Sequence, residues 1–167
     1  MARSGRFLSV LALALVGGCG VHYGFSQGAF PPQIKTMAVL PFDNNTASPD
    51  VQRELFDAMN SQLGKRLGVS PAAEARADAV VRGTITRYDS DVPVSFSANP
   101  NQAVSARRKL QITVDVEIVD QKTGKPLWSK KGETASGEYD ERAEAEGRKT
   151  AIQHIVDDIV EGAQSQW

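Results

Sequence analysis

The chain of 167 residues has a single cysteine, Cys19, and only two histidines, His22 and His154. One cysteine excludes an intramolecular disulfide framework. The two histidines have neither a nucleophile nor a metal-ligand set near them in sequence, so nothing in the chain spells out a catalytic or metal centre. Charge of one sign is also missing: 19 basic residues stand against 20 acidic ones, which leaves no basic surplus for nucleic acid. No apolar run approaches the roughly 20 residues that a membrane-spanning helix needs, and no repeat or low-complexity tract is visible. The expectations that follow are no enzyme, no cofactor, no metal and no nucleic-acid partner.

What is present begins at the N-terminus. Arg3 and Arg6 precede an apolar run over residues 7–16, and Gly17 and Gly18 stand directly before Cys19. This is the layout of a secretory signal peptide, with a run about half the length of a membrane span. Val16-Gly17-Gly18-Cys19 resembles the lipobox of bacterial lipoproteins, which implies cleavage after residue 18 and acylation of Cys19. With about 0.8 kcal/mol for each buried methylene, two or more acyl chains hold a protein on a membrane. The plainer reading, an incidental thiol, leaves a lone cysteine unexplained in an export pathway where disulfides are usual. Gly20, where an Asp would signal retention, implies the outer membrane by the same resemblance. Residues 1–18 are therefore expected to be a cleaved signal peptide, 19–34 a lipidated tether rich in Gly, Pro and aromatic residues, and 35–167 one domain.

Within that domain, Thr36-Met37-Ala38-Val39-Leu40-Pro41-Phe42 is a short apolar run that predicts a buried strand, closed by a turn at Asp43-Asn44-Asn45-Thr46. Ser48, Pro49 and Asp50 supply the cap, the first-turn proline and the acid of a helix start. Val51, Leu55, Met59, Leu63 and Leu67 follow at four-residue spacing, and Gly68 can end the helix. After a polar link over 70–76, the β-branched segment 79–88 predicts a strand, with Gly83 marking a bulge or close approach. Residues 89–105 read as a long loop or loose edge strand.

Leu110, Ile112, Val114, Val116 and Ile118 then alternate with Gln111, Thr113, Asp115 and Glu117, which predicts a strand with one buried and one wet face. Residues 120–124 carry turn chemistry, and 126–138 return as its hairpin partner around Trp128. Asp140 can cap a final helix whose apolar set is Ile152, Ile155, Val156, Ile159, Val160 and Ala163, while its first half, 141–149, is polar and expected to project or pack lightly. The fold expected is α+β: a mostly antiparallel four-stranded sheet with two helices packed on one face, the other face polar or reserved for a partner.

The remaining chemistry is cationic. Arg107, Arg108 and Lys109 stand at one end of the hairpin, Lys122 and Lys125 at its turn, and Lys130 and Lys131 on the return strand. Without Arg3 and Arg6 of the signal peptide the balance is 17 basic against 20 acidic residues, and in such a mildly acidic domain these residues can hold phosphate or an anionic glycolipid through charge-assisted hydrogen bonds; equally, lysines at strand edges keep a sheet soluble. His154, beside the apolar stripe of the last helix, reads as a boundary side chain rather than a ligand. Asp157 and Asp158, adjacent on that helix, point in different directions and read as a solvated face.

Several stretches, taken in order, resemble one family. Cys19-Gly20-Val21-His22-Tyr23-Gly24-Phe25, the approach Phe30-Pro31-Pro32-Gln33-Ile34-Lys35 running on to Val39-Leu40-Pro41-Phe42-Asp43-Asn44-Asn45-Thr46, the strand from Ala77-Asp78-Ala79 to Arg87-Tyr88, and Thr123-Gly124-Lys125-Pro126-Leu127-Trp128 are similar to the lipopolysaccharide-assembly lipoproteins, LptE. The resemblance covers nearly all of the chain after residue 18. It implies two helices on a four-stranded sheet, and a protein that sits in the outer-membrane β-barrel LptD, assists its assembly, plugs its lumen and contacts lipopolysaccharide. The Val-Leu-Pro-Phe strand and Asn-rich turn also resemble other envelope lipoproteins, including curli secretion lipoproteins and activators of penicillin-binding proteins. A regulator of a periplasmic enzyme, or a secretion component, is therefore the alternative.

Overall fold

The computed structural model describes residues 31–92, 107–140 and 142–166. The expected signal peptide, Cys19 and most of the tether lie outside these residues, as do positions 93–106.

Chain order is β1 (Thr36–Val39), β2 (Asp43–Asn44), α1 (Pro49–Leu67), β3 (Ser70–Pro71), β4 (Ala79–Val92), β5 (Arg107–Asp120), β6 (Pro126–Asp140) and α2 (Glu144–Gln164). The sheet runs β3-β1-β4-β5-β6, and β2 also pairs with β4. It is a mixed sheet of six strands, which corrects the mostly antiparallel four-stranded expectation. The antiparallel part is the meander β4-β5-β6. The other three strands run parallel to their neighbours: β1 beside β3 and β4, and β2 beside β4. The physical reason is the connection. A helix of 19 residues separates β1 from β4, and such a crossover returns the chain in the same direction, which a tight hairpin cannot do. The strands that were not anticipated, β2 and β3, have two residues each, too few for any alternation to register.

Asp43–Asn44 is thus a strand where a turn was expected. Pro41 has no N–H for a ladder, so β1 stops and the pairing with β4 resumes at Asp43. The turn follows directly: Asn44 Oδ1 accepts hydrogen bonds from the Thr46 backbone N–H and hydroxyl. Ser48 stands at the N-cap of α1, but its side chain makes no capping bond. Its N–H donates instead to Thr46 Oγ1 at 3.3 Å, and its carbonyl accepts from Asn44 Nδ2 at 2.8 Å. Gly68 ends α1 in the left-handed conformation, φ 74°, as glycine permits.

Both helices cover one face of the sheet. Val51, Leu55, Met59 and Leu63 of α1 and Ile155, Val156 and Ile159 of α2, all fully buried, share one core with Val81 and Ile85 of β4, Leu110 to Ile118 at every second position of β5, and Trp128. Fully burying each of these side chains contributes about 1.5–3 kcal/mol. Gly83 is a close-approach position: a Cβ there would sit 2.6 Å from Phe42 Cε2 and against the Asp115 carbonyl oxygen.

The first half of α2 does not project. Asp140 closes β6, and the helix starts at Glu144 behind Ala143, whose N–H bonds the Asp140 carbonyl at 2.7 Å. Gly147 is buried against β6: a Cβ on Gly137 would lie 2.8 Å from the Gly147 carbonyl carbon, and one on Gly147 would meet Tyr139 at the same distance. Two glycines let helix and strand backbones meet where larger side chains would hold them apart. β4 also continues to Val92, so the first four residues of the expected loop are strand.

Candidate functional site: the uncovered face of the sheet

Alternation that sends apolar side chains under the helices sends polar ones to the opposite face. On β4, Arg82 and Thr84 stand across from Glu117 and Asp115 of β5. Arg82 Nε donates to Glu117 Oε1 at 2.6 Å. On the β6 side, the Thr113 and Thr134 hydroxyls meet at 3.0 Å, and Gln111 and Lys109 stand across from Ser136 and Glu138. Gly132 donates its N–H to Asp115 Oδ1 at 2.7 Å where the β5-β6 register shifts. Arg82, Thr84, Asp115, Glu117, Ser129 and Lys131 line an open groove of about 330 Å³. At the β1 side the face turns apolar, where Ala38, Ala77 and Val80 form a small separate cluster with Leu40 and Ala72. This surface can make many polar contacts. It presents no activated nucleophile, and no group of three His, Cys, Asp or Glu among the described residues could hold a metal.

The seven hairpin cations do not form one site. Arg107, Arg108 and Lys109 begin β5 opposite Asp140, Tyr139 and Glu138. Arg108 bonds Asp91 at 2.9 Å. Lys122 and Lys125 lie at the hairpin turn, roughly 40 Å away at about 3.3 Å per strand residue. Lys130 approaches Glu133 at 3.8 Å, and Lys131 lines the groove. His154 bonds the Ser136 carbonyl of β6 through Nδ1 at 3.1 Å, which places it as a helix-to-strand contact.

Two polar networks escaped the sequence reading. Asp78 Oδ2 accepts from the Lys35 N–H, the Thr36 N–H and the Thr36 hydroxyl at 3.1, 3.1 and 2.9 Å, and Oδ1 lies 3.3 Å from Lys122 Nζ. One carboxylate ties the start of β1, the start of β4 and the hairpin turn together. The Lys35 amide, foremost, and the Thr36 hydroxyl hold its pKa down at about 2. Its only signal in the sequence is an acid between alanines at the head of a β-branched run. At the opposite end of the molecule, Arg148 makes a bidentate pair with Glu54 at 2.8 and 2.9 Å, joining α2 to α1. Tyr88 of β4 donates to Glu144 at 2.5 Å. Burial first, then that hydrogen bond, push the Tyr88 pKa up to about 12, and the Glu54 bonds raise that of Arg148. The Glu144/Arg148 spacing of four was the legible hint.

Two helices on one face of a mixed sheet define a small α+β fold seen in several solved bacterial proteins. The PelC dodecamer of Paraburkholderia phytofirmans is 18% identical, with 81% of this chain and 91% of that one covered and a TM-score of 0.52. Protein XCC0632 of Xanthomonas campestris is 12% identical over 81% and 91%, with a TM-score of 0.51. A putative lipoprotein of Caulobacter crescentus CB15 is 17% identical over 75% and 89%, with a TM-score of 0.50. These likenesses are of fold alone. The sequence itself narrows the class: the lipopolysaccharide-assembly model, LptE, matches residues 34–162, and the chain belongs to that family of non-enzymatic lipoproteins. No curated protein matches the sequence significantly.

Proposed function

We propose that this protein is an outer-membrane lipoprotein that partners and plugs a large β-barrel translocon of the LptD kind, assisting the barrel's assembly and the insertion of lipopolysaccharide into the outer leaflet. The family match over residues 34–162 carries this reading. In it, residues 1–18 are removed, Cys19 bears the acyl chains, residues 19–34 are the tether and 35–167 the working domain. The uncovered sheet face supports the reading physically. A lumen wall is polar, and side chains such as Arg82, Gln111, Thr113, Glu117 and Thr134 offer it hydrogen bonds without exposing the core. The hairpin cations Arg107, Arg108, Lys109, Lys122, Lys125, Lys130 and Lys131 are the candidate contacts for the phosphates of the glycolipid, and Lys131 reaches the groove itself.

Mild detergent extraction followed by affinity capture tests the partnership. A heat-modifiable barrel should co-purify with the wild-type chain and be lost from a variant with Thr113→Lys and Thr134→Lys, two substitutions on the uncovered face. A second reading has one observation in its favour: the fold is shared with the PelC dodecamer, so a ring of identical subunits in a secretion or regulatory role is the alternative. Capture of a homo-oligomer without a barrel would overturn the first reading and favour the second.

A further inference from the structure

The two edges of the sheet are unlike. On one side β3 has two residues, Ser70–Pro71, and the proline has no N–H to offer. On the other, β6 runs for 15 residues and pairs only with β5, so its outer backbone groups meet no strand among the described residues. A long open edge is a template for another strand unless something guards it. His154 guards one part, because it takes the Ser136 carbonyl. Lys130 and Lys131, beside the register shift at Gly132, guard the middle, where residues 129–132 and Thr134 are all exposed.

Backbone direction on either side of that shift decides what the edge can accept. The Asp120 N–H donates to the Lys125 carbonyl, so the even-numbered residues of β5 turn their backbone groups to β6. Their partners, Trp128 and Lys130 before the shift and Glu133 and Ala135 after it, therefore face inward. Ser129 and Thr134 face outward. An antiparallel strand must set outward residues against outward residues. A second β6, turned about a two-fold axis between Lys131 and Gly132, does so: Ser129 lies across from Thr134 of the partner subunit, and Lys130 from Glu133 of the partner subunit. The extra residue at the shift is what brings Ser129 and Thr134 into this register. Charge agrees, since Lys130 and Glu133 both stand on the helix side, opposite Val116 and Val114. Within one chain their own contact is long, at 3.8 Å, and no other ion pair holds Glu133 among the described residues.

We infer that β6 is a self-recognising edge, through which two copies of the chain pair over residues 129–134 into one continuous sheet. The lysines are then a selective guard: they repel a strand that lacks an acid at the matching place and accept their own. The paired stretch is about 20 Å of strand, too little for an obligate dimer, so the association is weak and reversible. A two-fold axis perpendicular to the sheet leaves both uncovered faces open on the same side. The inference goes beyond the barrel reading and does not rest on it.

The test uses residues 19–167 with Cys19→Ser, which removes both acylation and the one thiol that could cross-link two copies, in sedimentation equilibrium up to about 1 mM. The parent should show a monomer–dimer equilibrium. Lys130→Glu alone and Glu133→Lys alone should each weaken it about tenfold or more, because both cross-strand charge pairs become like-charged. Mixed in equal amounts, the two folded variants should associate with each other as the parent does with itself, since every mixed pair again sets a lysine against a glutamate. Amide hydrogen exchange reads the same contact with no charge substitution: protection at Ser129 and Thr134 should rise with protein concentration. A monomer at every concentration, a dimer indifferent to both charge changes, or folded variants that do not associate when mixed would each overturn the inference. So would protection of these two amides that is equal at all concentrations, because a segment of the same chain would then cover the edge. Barrel co-purification is a separate measurement, so either reading can fail without the other.

Discussion

The two faces of the sheet are built from the same strands and obey opposite rules. Under the helices, β5 contributes Leu110, Ile112, Val114, Val116 and Ile118, and the packing is tight enough that Gly83, Gly137 and Gly147 leave no room for a methyl group. One residue away along the same strand, Gln111, Thr113, Asp115 and Glu117 are partly exposed; Thr113 and Asp115 make hydrogen bonds, and Glu117 pairs with Arg82. The covered face holds the stability, because apolar burial there is complete. The uncovered face contributes little to folding and is free to be chosen by a partner. Substitutions on the two faces should therefore separate into losses of stability and losses of binding.

The largest effect is expected under α1, where Leu55→Ala should remove about 2–5 kcal/mol of stability, read as a lower urea midpoint at unchanged slope. Next comes the helix-to-strand contact: Gly137→Ala should cost about 1–3 kcal/mol as α2 moves off β6. An unshifted melting curve would mean that the two backbones do not meet as closely as described. Arg148→Met, which removes the bidentate bond to Glu54 between the helices, should cost about 1.5–3 kcal/mol. A double-mutant cycle with Glu54→Gln should show that most of this loss is shared.

Asp78 predicts a pH dependence. Its folded pKa of about 2 lies below the ordinary 3.8, so the unfolded chain binds a proton before the folded one does, and stability rises with pH through this window. The contribution is fully present above about pH 5, and is lost as the pH falls through 3.8 towards 2. Asp78→Asn should flatten that part of the stability profile; a profile identical to the parent's would overturn the assignment. The smallest effect is reserved for the uncovered face. Arg82→Gln breaks an exposed pair and should change stability by about 1 kcal/mol or less. If that face meets the barrel, the same change should nonetheless reduce barrel co-purification.

Much of the covered face was legible. Four-residue spacing in α1, two-residue spacing in β5 and the stripe of α2 each name their buried residues, because a regular element repeats its inward direction at a fixed period. Gly83 was legible as a close approach for the same reason: an isolated glycine in a β-branched run needs a cause. The neighbours were not. That β1 lies parallel to β4, that Asp43–Asn44 adds a strand, and that Gly147 rests on Gly137 depend on residues distant in sequence, and no local pattern records them. The hairpin cations show both sides of this limit: their spread from one end of the hairpin to the turn and the return strand is legible, whereas the pairing of Lys122 with Asp78 joins residues far apart in sequence.

By itself, then, the amino-acid order determined the helices, the meander strands, the inward residues and the family, all of which are properties of local period or of linear pattern. The tertiary structure alone decided the mixed sheet and the Asp78 and Arg148 networks. Those depend on long-range pairing, where the entropy of closing loops is offset only by contacts that the whole fold makes at once.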